Sequence, residues 1–167
     1  MEGREDALVG AAGAILAIRD AAAGLDGAVA TVGQVAVEPG GVNVIPGSVR
    51  ISVDARAPDA GTLDRLIAAI GVDPAQRTEP VAMGARVRGA LSEELAAQGL
   101  SAVELPSGAG HDAGILAAVG VESGMLFVRS LNGGVSHSPD ELSSDEDVAL
   151  AVEVLTATLR RLSARRT

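Results

Sequence analysis

Residues 48–56 read Ser-Val-Arg-Ile-Ser-Val-Asp-Ala-Arg, and their side chains alternate between apolar and polar types. A period of two is typical of a β-strand that buries one face, because successive side chains point to opposite sides of a sheet. Residues 28–37 (AVATVGQVAV) are rich in β-branched side chains and predict a second strand just before it. Helices predicted over residues 4–23 and 63–70 complete an antiparallel α+β unit over residues 1–80.

Residues 81–167 have a different pattern. The continuous apolar run at 124–129 (GMLFVR) predicts a buried strand of the parallel type. Shorter strands are predicted near residues 78–83 and 102–105, and helices over 86–98, 111–119 and 145–162. Ser144, with Asp147 three residues later, predicts a capping box at the start of the last helix. The fold class is therefore predicted as α/β, with the first unit followed by part of a doubly wound α/β domain.

The composition excludes several classes of function. The 13 basic residues, all arginine, are outnumbered by 22 acidic ones, and the net charge of −9 argues against a nucleic-acid partner. Cysteine is absent, which excludes a disulfide framework and a thiolate metal site. No apolar run reaches the roughly 18 residues of a membrane-spanning helix, and the first residues lack the basic start of a signal peptide. We therefore expect a cytoplasmic protein with no membrane partner.

Two histidines carry any imidazole chemistry, and the first lies in a glycine-rich turn. His111 belongs to residues 105–113 (LPSGAGHDA), between a predicted strand and a predicted helix. The backbone N–H groups of such a turn can hold an anion. Gly108, Gly110 and Ala113 also match the GxGxxA spacing of dinucleotide-binding proteins, but no acidic residue follows about twenty positions later. Nucleotide binding is therefore disfavoured.

The second histidine, His137, lies in the loop at 133–141 (GGVSHSPDE), after the apolar run. Such a histidine can be a metal ligand held by a nearby carboxylate, here Asp140 or Glu141, or simply part of a solvated loop before an acidic helix. One histidine does not make a metal site, because at least three ligands are needed.

Asn43, Asp54 and Arg56 form a third candidate group. An arginine at the end of a strand can clamp a carboxylate with two hydrogen bonds, or it can form an ordinary exposed ion pair with a neighbouring aspartate. The residues alone therefore indicate an acidic α/β protein with candidate anion-binding and metal-binding loops.

Taken together, four stretches resemble the M20-type zinc amidohydrolases, in the branch of the N-carbamoyl-amino-acid hydrolases and allantoate amidohydrolases. They come in the family's order and are ATVGQ (30–34), VNVIPG with SVDAR and PD (42–59), SGAGHDA (107–113) and GMLFVRS with GGVSHSPDE (124–141). The resemblance implies that residues 1–80 form part of a ferredoxin-like lid that also dimerises. Residues 81–167 would then be the C-terminal part of the metallohydrolase catalytic domain.

The resemblance also implies a role for each candidate residue. His137 matches the last ligand of a two-metal centre, usually zinc or manganese, and His111 matches a histidine that supports the substrate and the tetrahedral intermediate. Asn43 and Arg56, thirteen positions apart, match the lid pair that binds the substrate carboxylate, and the backbone of Gly110 assists. The implied reaction is hydrolysis of a non-peptide C–N bond in a carboxylate-bearing carbamoyl, ureido or allantoate-like substrate.

Several motifs of the family are absent from this sequence. The HxD ligand pair, the Glu-Glu pair and a further histidine ligand are missing, and residues 1–7 (MEGREDA) line up with an internal stretch of the family. We therefore expect that the isolated chain neither holds the two-metal centre nor hydrolyses amides. Its partner would be a second copy or a missing N-terminal catalytic half, in a gene fragment or a split enzyme. The alternative is a non-enzymatic dimerising or small-anion-binding module derived from the lid.

Overall fold

A computed structural model describes residues 5–164 of the chain. The fold is α/β, as predicted, with helices and a small antiparallel sheet. The chain divides into two compact units, Met1–Pro80 and Val81–Thr167, which are described separately below. Within the described residues, every helix is too short or too polar to cross a membrane.

From residue 5 onward, the first unit contains two helices and two strands in the order α1 (Ala7–Ala23), β1 (Val29–Glu38), β2 (Ser48–Arg56) and α2 (Ala60–Ile70). These bounds confirm the elements predicted from the sequence to within a few residues. Asp6 is the N-cap of helix α1, and its carboxylate accepts hydrogen bonds from the backbone N–H groups of Leu8 and Val9 at 3.1 and 3.4 Å.

The two strands form an antiparallel pair with one irregularity. Val32 lies opposite Val53, but Gln34 lies opposite Ser52, so Gly33 is an extra residue on β1. Such a β-bulge reverses the alternation of the bulged strand. Because of it, Val35 and Val37 lie on the same face as Val32, and the polar side chain of Gln34 lies on the other face.

Both helices of the first unit pack on the sheet. Helix α1 contacts both strands, and α2 contacts α1 and β2. Ile18, Ala22, Leu63 and Leu66 are buried there, and the Leu66 side chain is 0% exposed. Helix α2 ends at Gly71, whose φ of 75° is the left-handed conformation that glycine adopts without strain. This core is aliphatic, as the composition predicts.

As far as residue 164, the second unit contains three helices, α3 (Ala85–Ala97), α4 (Asp112–Ala118) and α5 (Asp145–Ala164), and a short 3₁₀ turn at Asn132–Gly134. Helices α3 and α5 pack together and bury Ala90, Leu91, Val154 and Thr158. Arg161 of α5 joins the two helices through ion pairs with Glu93 and Glu94 of α3. The hydrogen bond that Arg161 donates to the Glu94 carboxylate is the main cause that raises the pKa of Arg161 above its usual value.

The capping box at the start of α5 is confirmed. The hydroxyl of Ser144 accepts from the backbone N–H of Asp147 at 3.1 Å and donates to the Asp147 carboxylate at 2.7 Å. That carboxylate also forms an ion pair with Arg129 at 2.8 Å, which ties the helix to the segment before the loop at 131–142.

The three strands predicted at 78–83, 102–105 and 124–129 are wrong as paired strands. Among residues 5–164, the only ladder is the one between β1 and β2. A backbone hydrogen bond from Gly84 N to Ser123 O at 2.8 Å joins the residue after segment 78–83 to the residue before segment 124–129. A strand requires a neighbouring strand at about 4.8 Å to form hydrogen bonds with its backbone N–H and C=O groups. The sequence pattern indicates only which side chains are apolar, so it does not show whether such a neighbour is present. Phe127 and Val128 are accordingly 49% and 38% exposed.

Candidate functional site

The candidate residues of the first unit lie at opposite ends of its hairpin. Asn43 is exposed in the turn between β1 and β2, and the same connection is tied to the start of α1 by a bond from Ala7 N to Pro46 O at 3.2 Å. Arg56 ends β2 and lies opposite Val29, just after the end of α1. At about 3.3 Å per residue, the intervening strand is roughly 26 Å long. The hairpin therefore does not bring Asn43 and Arg56 together along its length.

Arg56 forms an ion pair with Asp54 on the same, outer face of the sheet. The Arg56 Nε atom donates to both carboxylate oxygens of Asp54 at 3.1 Å, and the Arg56 Nη2 atom donates to Oδ2. The hydrogen bond from Arg56 lowers the pKa of Asp54 below its usual value, and the same bond raises the pKa of Arg56. Both side chains are about half exposed. The pair presents a guanidinium that already binds a carboxylate through two of its nitrogen atoms.

His111 is the N-cap of α4 in the second unit. Its backbone is extended, with a φ of −148°, and its Nδ1 atom accepts a hydrogen bond from the backbone N–H of Ala113 at 3.1 Å. A ring nitrogen that accepts a hydrogen bond carries no proton, so in this geometry the proton of the neutral ring is on Nε2. His111 is exposed, and it follows Gly110 in the predicted glycine-rich turn. The site thus has a hydrogen-bond donor at Nε2.

His137 lies in a loop that is closed at its base. Leu131 N donates to Leu142 O at 2.7 Å, and the Asn132 side chain donates to Asp140 O at 2.8 Å. His137 itself has a φ of 56°, which is left-handed. Residues 131–142 therefore form a defined loop, which we call the His137 loop.

The carboxylate of Glu141 contacts the backbone of His137, whereas the sequence pattern left open a carboxylate beside the imidazole. Its Oε2 atom accepts a hydrogen bond from the backbone N–H of His137 at 2.9 Å. The contact is therefore to the backbone of His137. Asn132 was missed by the sequence reasoning, although an asparagine before two glycines is a signal for left-handed backbone and a tight turn.

The described residues do not by themselves fit a metal centre. Between residues 5 and 164, no group of three or more histidine, aspartate or glutamate side chains is placed to hold a metal ion. A zinc site requires three or four such ligands, and the His137 loop offers one imidazole. The chemistry that follows from this geometry is hydrogen bonding and carboxylate binding.

Comparison with known proteins identifies the family. The model of the family described as "Peptidase family M20/M25/M40" matches residues 2–161 of this chain. The chain belongs to this family. The chain is 37% identical to the N-carbamoyl-L-amino acid amidohydrolase of Geobacillus stearothermophilus, over 96% of this chain and 42% of that protein. It is 36% identical to the allantoate amidohydrolase of Bacillus subtilis, over 80% of this chain and 35% of that protein.

Solved structures of M20 relatives have the same fold. An amidase of the hydantoinase/carbamoylase family from Burkholderia multivorans aligns with a TM-score of 0.83 and 31% identity, over 96% of this chain and 43% of that one. The structure of AtUAH in complex with glyoxylate aligns with a TM-score of 0.81 and 29% identity, over 98% and 43% of the two chains. This M20 chain thus spans less than half the length of these relatives. The resemblance predicted from the four stretches is confirmed, and the relatives' names support an amidohydrolase type of enzyme.

Proposed function

We propose that this chain is part of a cytoplasmic amidohydrolase that cleaves the C–N bond of small carboxylate-bearing substrates. N-carbamoyl amino acids, ureido acids and allantoate are the candidates, since the named relatives act on carbamoyl amino acids or allantoate. The observation that carries the proposal is the fixed imidazole of His111, whose Nδ1 is engaged by Ala113 N and whose Nε2 is the donor. Amide hydrolysis is accelerated by such a donor, because negative charge develops on the carbonyl oxygen.

In amide hydrolysis, the carbonyl oxygen gains negative charge as the tetrahedral intermediate forms. A donor that is already oriented toward this oxygen lowers the barrier, because no reorganisation is needed during the reaction. We assign this role to the Nε2–H of His111. The backbone of Gly110, the preceding residue, would assist in anchoring the substrate.

Arg56 is proposed to bind the substrate carboxylate, since its guanidinium binds that of Asp54 in this structure. The substrate carboxylate would replace Asp54, or share with it, as the acceptor of the bonds that Arg56 donates, an exchange that the exposure of both side chains allows. Asn43 is proposed as a second carboxylate-binding residue. Because the hairpin does not bring Asn43 and Arg56 together, the two side chains would reach a shared carboxylate only in the assembly with the partner. The structure of AtUAH with glyoxylate supports a small carboxylate as the ligand class in this family.

The metal in this proposal is zinc or manganese, and His137 is proposed as a single ligand toward it. The other ligands would come from a polypeptide that these residues do not include. Exposed apolar surface in the second unit supports such a partner: Val148, Val152, Leu155 and Leu159 recur at helical spacing on α5 and are 45 to 58% exposed. The partner would be a catalytic half or a second copy of this chain.

The test uses this chain alone and together with the part of the Geobacillus amidohydrolase that the chain does not cover. Bound metal and ammonia release from N-carbamoyl amino acids and from allantoate are measured with zinc and with manganese. The chain alone should give neither metal in stoichiometric amount nor turnover, and the assembly should give both. His111→Asn, which keeps an N-cap acceptor, should lower kcat of the assembly by about 10²- to 10³-fold. Arg56→Ala should raise KM by about 10- to 100-fold.

Turnover by the chain alone would contradict the need for a partner. A stable assembly that binds metal and shows no ammonia release would contradict the enzymatic proposal. That result would favour the alternative, a dimerising or small-anion-binding module, which has support from the separate buried core of the first unit. Equal kinetics for His111→Asn and the unmodified assembly would remove His111 from the catalytic residues.

A further inference from the structure

The His137 loop contains the only two non-glycine residues with positive φ among residues 5–164. Asn132 has a φ of 53° and His137 a φ of 56°. Positive φ is uncommon for any residue with a Cβ, because the Cβ approaches the backbone, although asparagine and histidine adopt it more often than most residues do. Residues held in this way are concentrated at functional sites, where the surrounding structure fixes them. The hydrogen bonds of the loop should therefore show what holds His137.

Glu141 provides the contact that acts directly on His137. Its Oε2 atom lies 2.9 Å from the His137 backbone nitrogen and accepts the N–H. The position of Glu141 is fixed in turn, because its own N–H donates to Ser138 O at 3.0 Å. A hydrogen bond to an ionised carboxylate is about twice as strong as one between neutral groups.

We propose that Glu141 is a positioning residue for His137. By binding the backbone N–H, the carboxylate holds the left-handed φ of His137 and so fixes the direction of the Cα–Cβ bond and of the imidazole. Without the carboxylate, the backbone relaxes toward negative φ, and the imidazole points elsewhere. This inference rests on the proposed function only for the role of the imidazole as a metal ligand. The contact between Glu141 and the His137 backbone exists in the chain itself.

The test compares substitutions of Glu141 in the full chain by NMR. Glu141→Gln keeps a side-chain oxygen that can accept the N–H, whereas Glu141→Ala removes it and Glu141→Asp is one methylene too short. Glu146→Ala, at an exposed position in the first turn of α5, is the control for the loss of negative charge. Two signals are measured at His137: amide hydrogen exchange, and the NOE between the amide proton and Hα, which is intense when φ is positive.

We expect the His137 amide to exchange about tenfold faster in Glu141→Ala and Glu141→Asp, and to lose its intense NOE. Glu146→Ala should keep the exchange rate within about twofold and keep the NOE. Glu141→Gln, whose neutral acceptor forms a weaker bond, should keep the NOE and exchange more slowly than Glu141→Ala. An unchanged NOE in Glu141→Ala, or a Gln variant that behaves like the Ala variant, would overturn the proposal. If Glu141→Ala does not fold, the comparison of the Asp and Gln variants decides in the same way.

A kinetic measurement on the assembly with the Geobacillus segment separates this inference from the proposed function. Glu141→Ala should lower kcat by about tenfold with little change in KM, and Glu141→Gln should restore most of it. If the NMR results are as expected but the unmodified assembly is inactive, the proposed function is contradicted and the positioning role of Glu141 is retained. An active assembly whose Glu141→Ala variant keeps the His137 NOE refutes the positioning role alone.

Discussion

Strands were predicted in both units from side-chain patterns, yet within residues 5–164 only the first unit forms paired strands. In the first unit, β1 finds its partner β2 ten residues later, and the ladder runs over both strands. In the second unit, residues 124–129 are at least as apolar but have no ladder among the described residues. A side-chain pattern thus predicts which face a strand would bury. Whether the strand forms depends on a neighbouring strand, which a local pattern does not report.

The largest expected effect comes from the core of the first unit. Leu66→Ala should lower the free energy of unfolding by about 2–5 kcal/mol, because it removes a fully buried side chain and leaves a cavity. Amide exchange should show the loss of protection in β1 and β2. Leu105→Ala, at a 60% exposed position in the second unit, is the control and should change stability by less than about 0.5 kcal/mol. Equal losses for the two variants would contradict the difference between the units.

A second prediction concerns the apolar surface of the second unit. Phe127→Asp should reduce self-association, measured as the average mass in sedimentation at several protein concentrations, because it places a charge on an exposed apolar segment. Its effect on stability should stay within about 0.5 kcal/mol. Val42→Asp adds the same charge at a fully exposed turn of the first unit and should leave the mass distribution unchanged. An equal change for both variants would show that net charge, rather than this surface, controls association.

The smallest expected effect is on the free energy of unfolding at acid pH. The pKa of Asp54 is lowered in the folded chain from its usual value of 3.8, mainly by the hydrogen bond from Arg56. The resulting stabilisation is present above pH 3.8 and is lost as the pH falls through the lower folded value. Asp54→Asn should therefore flatten the loss of stability below about pH 4, by less than about 0.5 kcal/mol because the pair is exposed.

Denaturant unfolding at a series of pH values measures this effect. Asp26→Asn, which removes the same charge from an exposed turn of the first unit, should keep the acid dependence of the unmodified chain. An Asp54→Asn variant with an unchanged acid dependence would show that the ion pair adds no measurable stability.

The features predicted correctly from the sequence are those set by short-range chemistry. The capping box at Ser144 and the alternation in β2 depend on residues a few positions apart, and both are confirmed. The mixed fold class and the family followed from combining several such stretches. These signals depend on residues a few positions apart, so they can be recognised in a single amino-acid sequence.

The features that were missed depend on details of the backbone. Nothing in the residue types required the bulge at Gly33, the left-handed φ of His137 or the bond from Ala113 N to the His111 ring. Each is fixed by hydrogen bonds that form only when the surrounding loop or strand is in place. The predicted roles of Asn43, Arg56, Gly110, His111 and His137 therefore stay predictions, which the proposed kinetic tests address.

The bulge at Gly33 has a consequence for how this hairpin tolerates changes in length. Deletion of Gly33 would make the ladder between β1 and β2 regular and would keep Val35 and Val37 on the same face as Val32, with Gln34 on the other face. An insertion next to Gly33 would be absorbed more easily than one elsewhere in β1, because a bulge already interrupts the ladder there. Related hairpins that differ by one residue in β1 should therefore carry the difference at this position, with the apolar face of the sheet preserved.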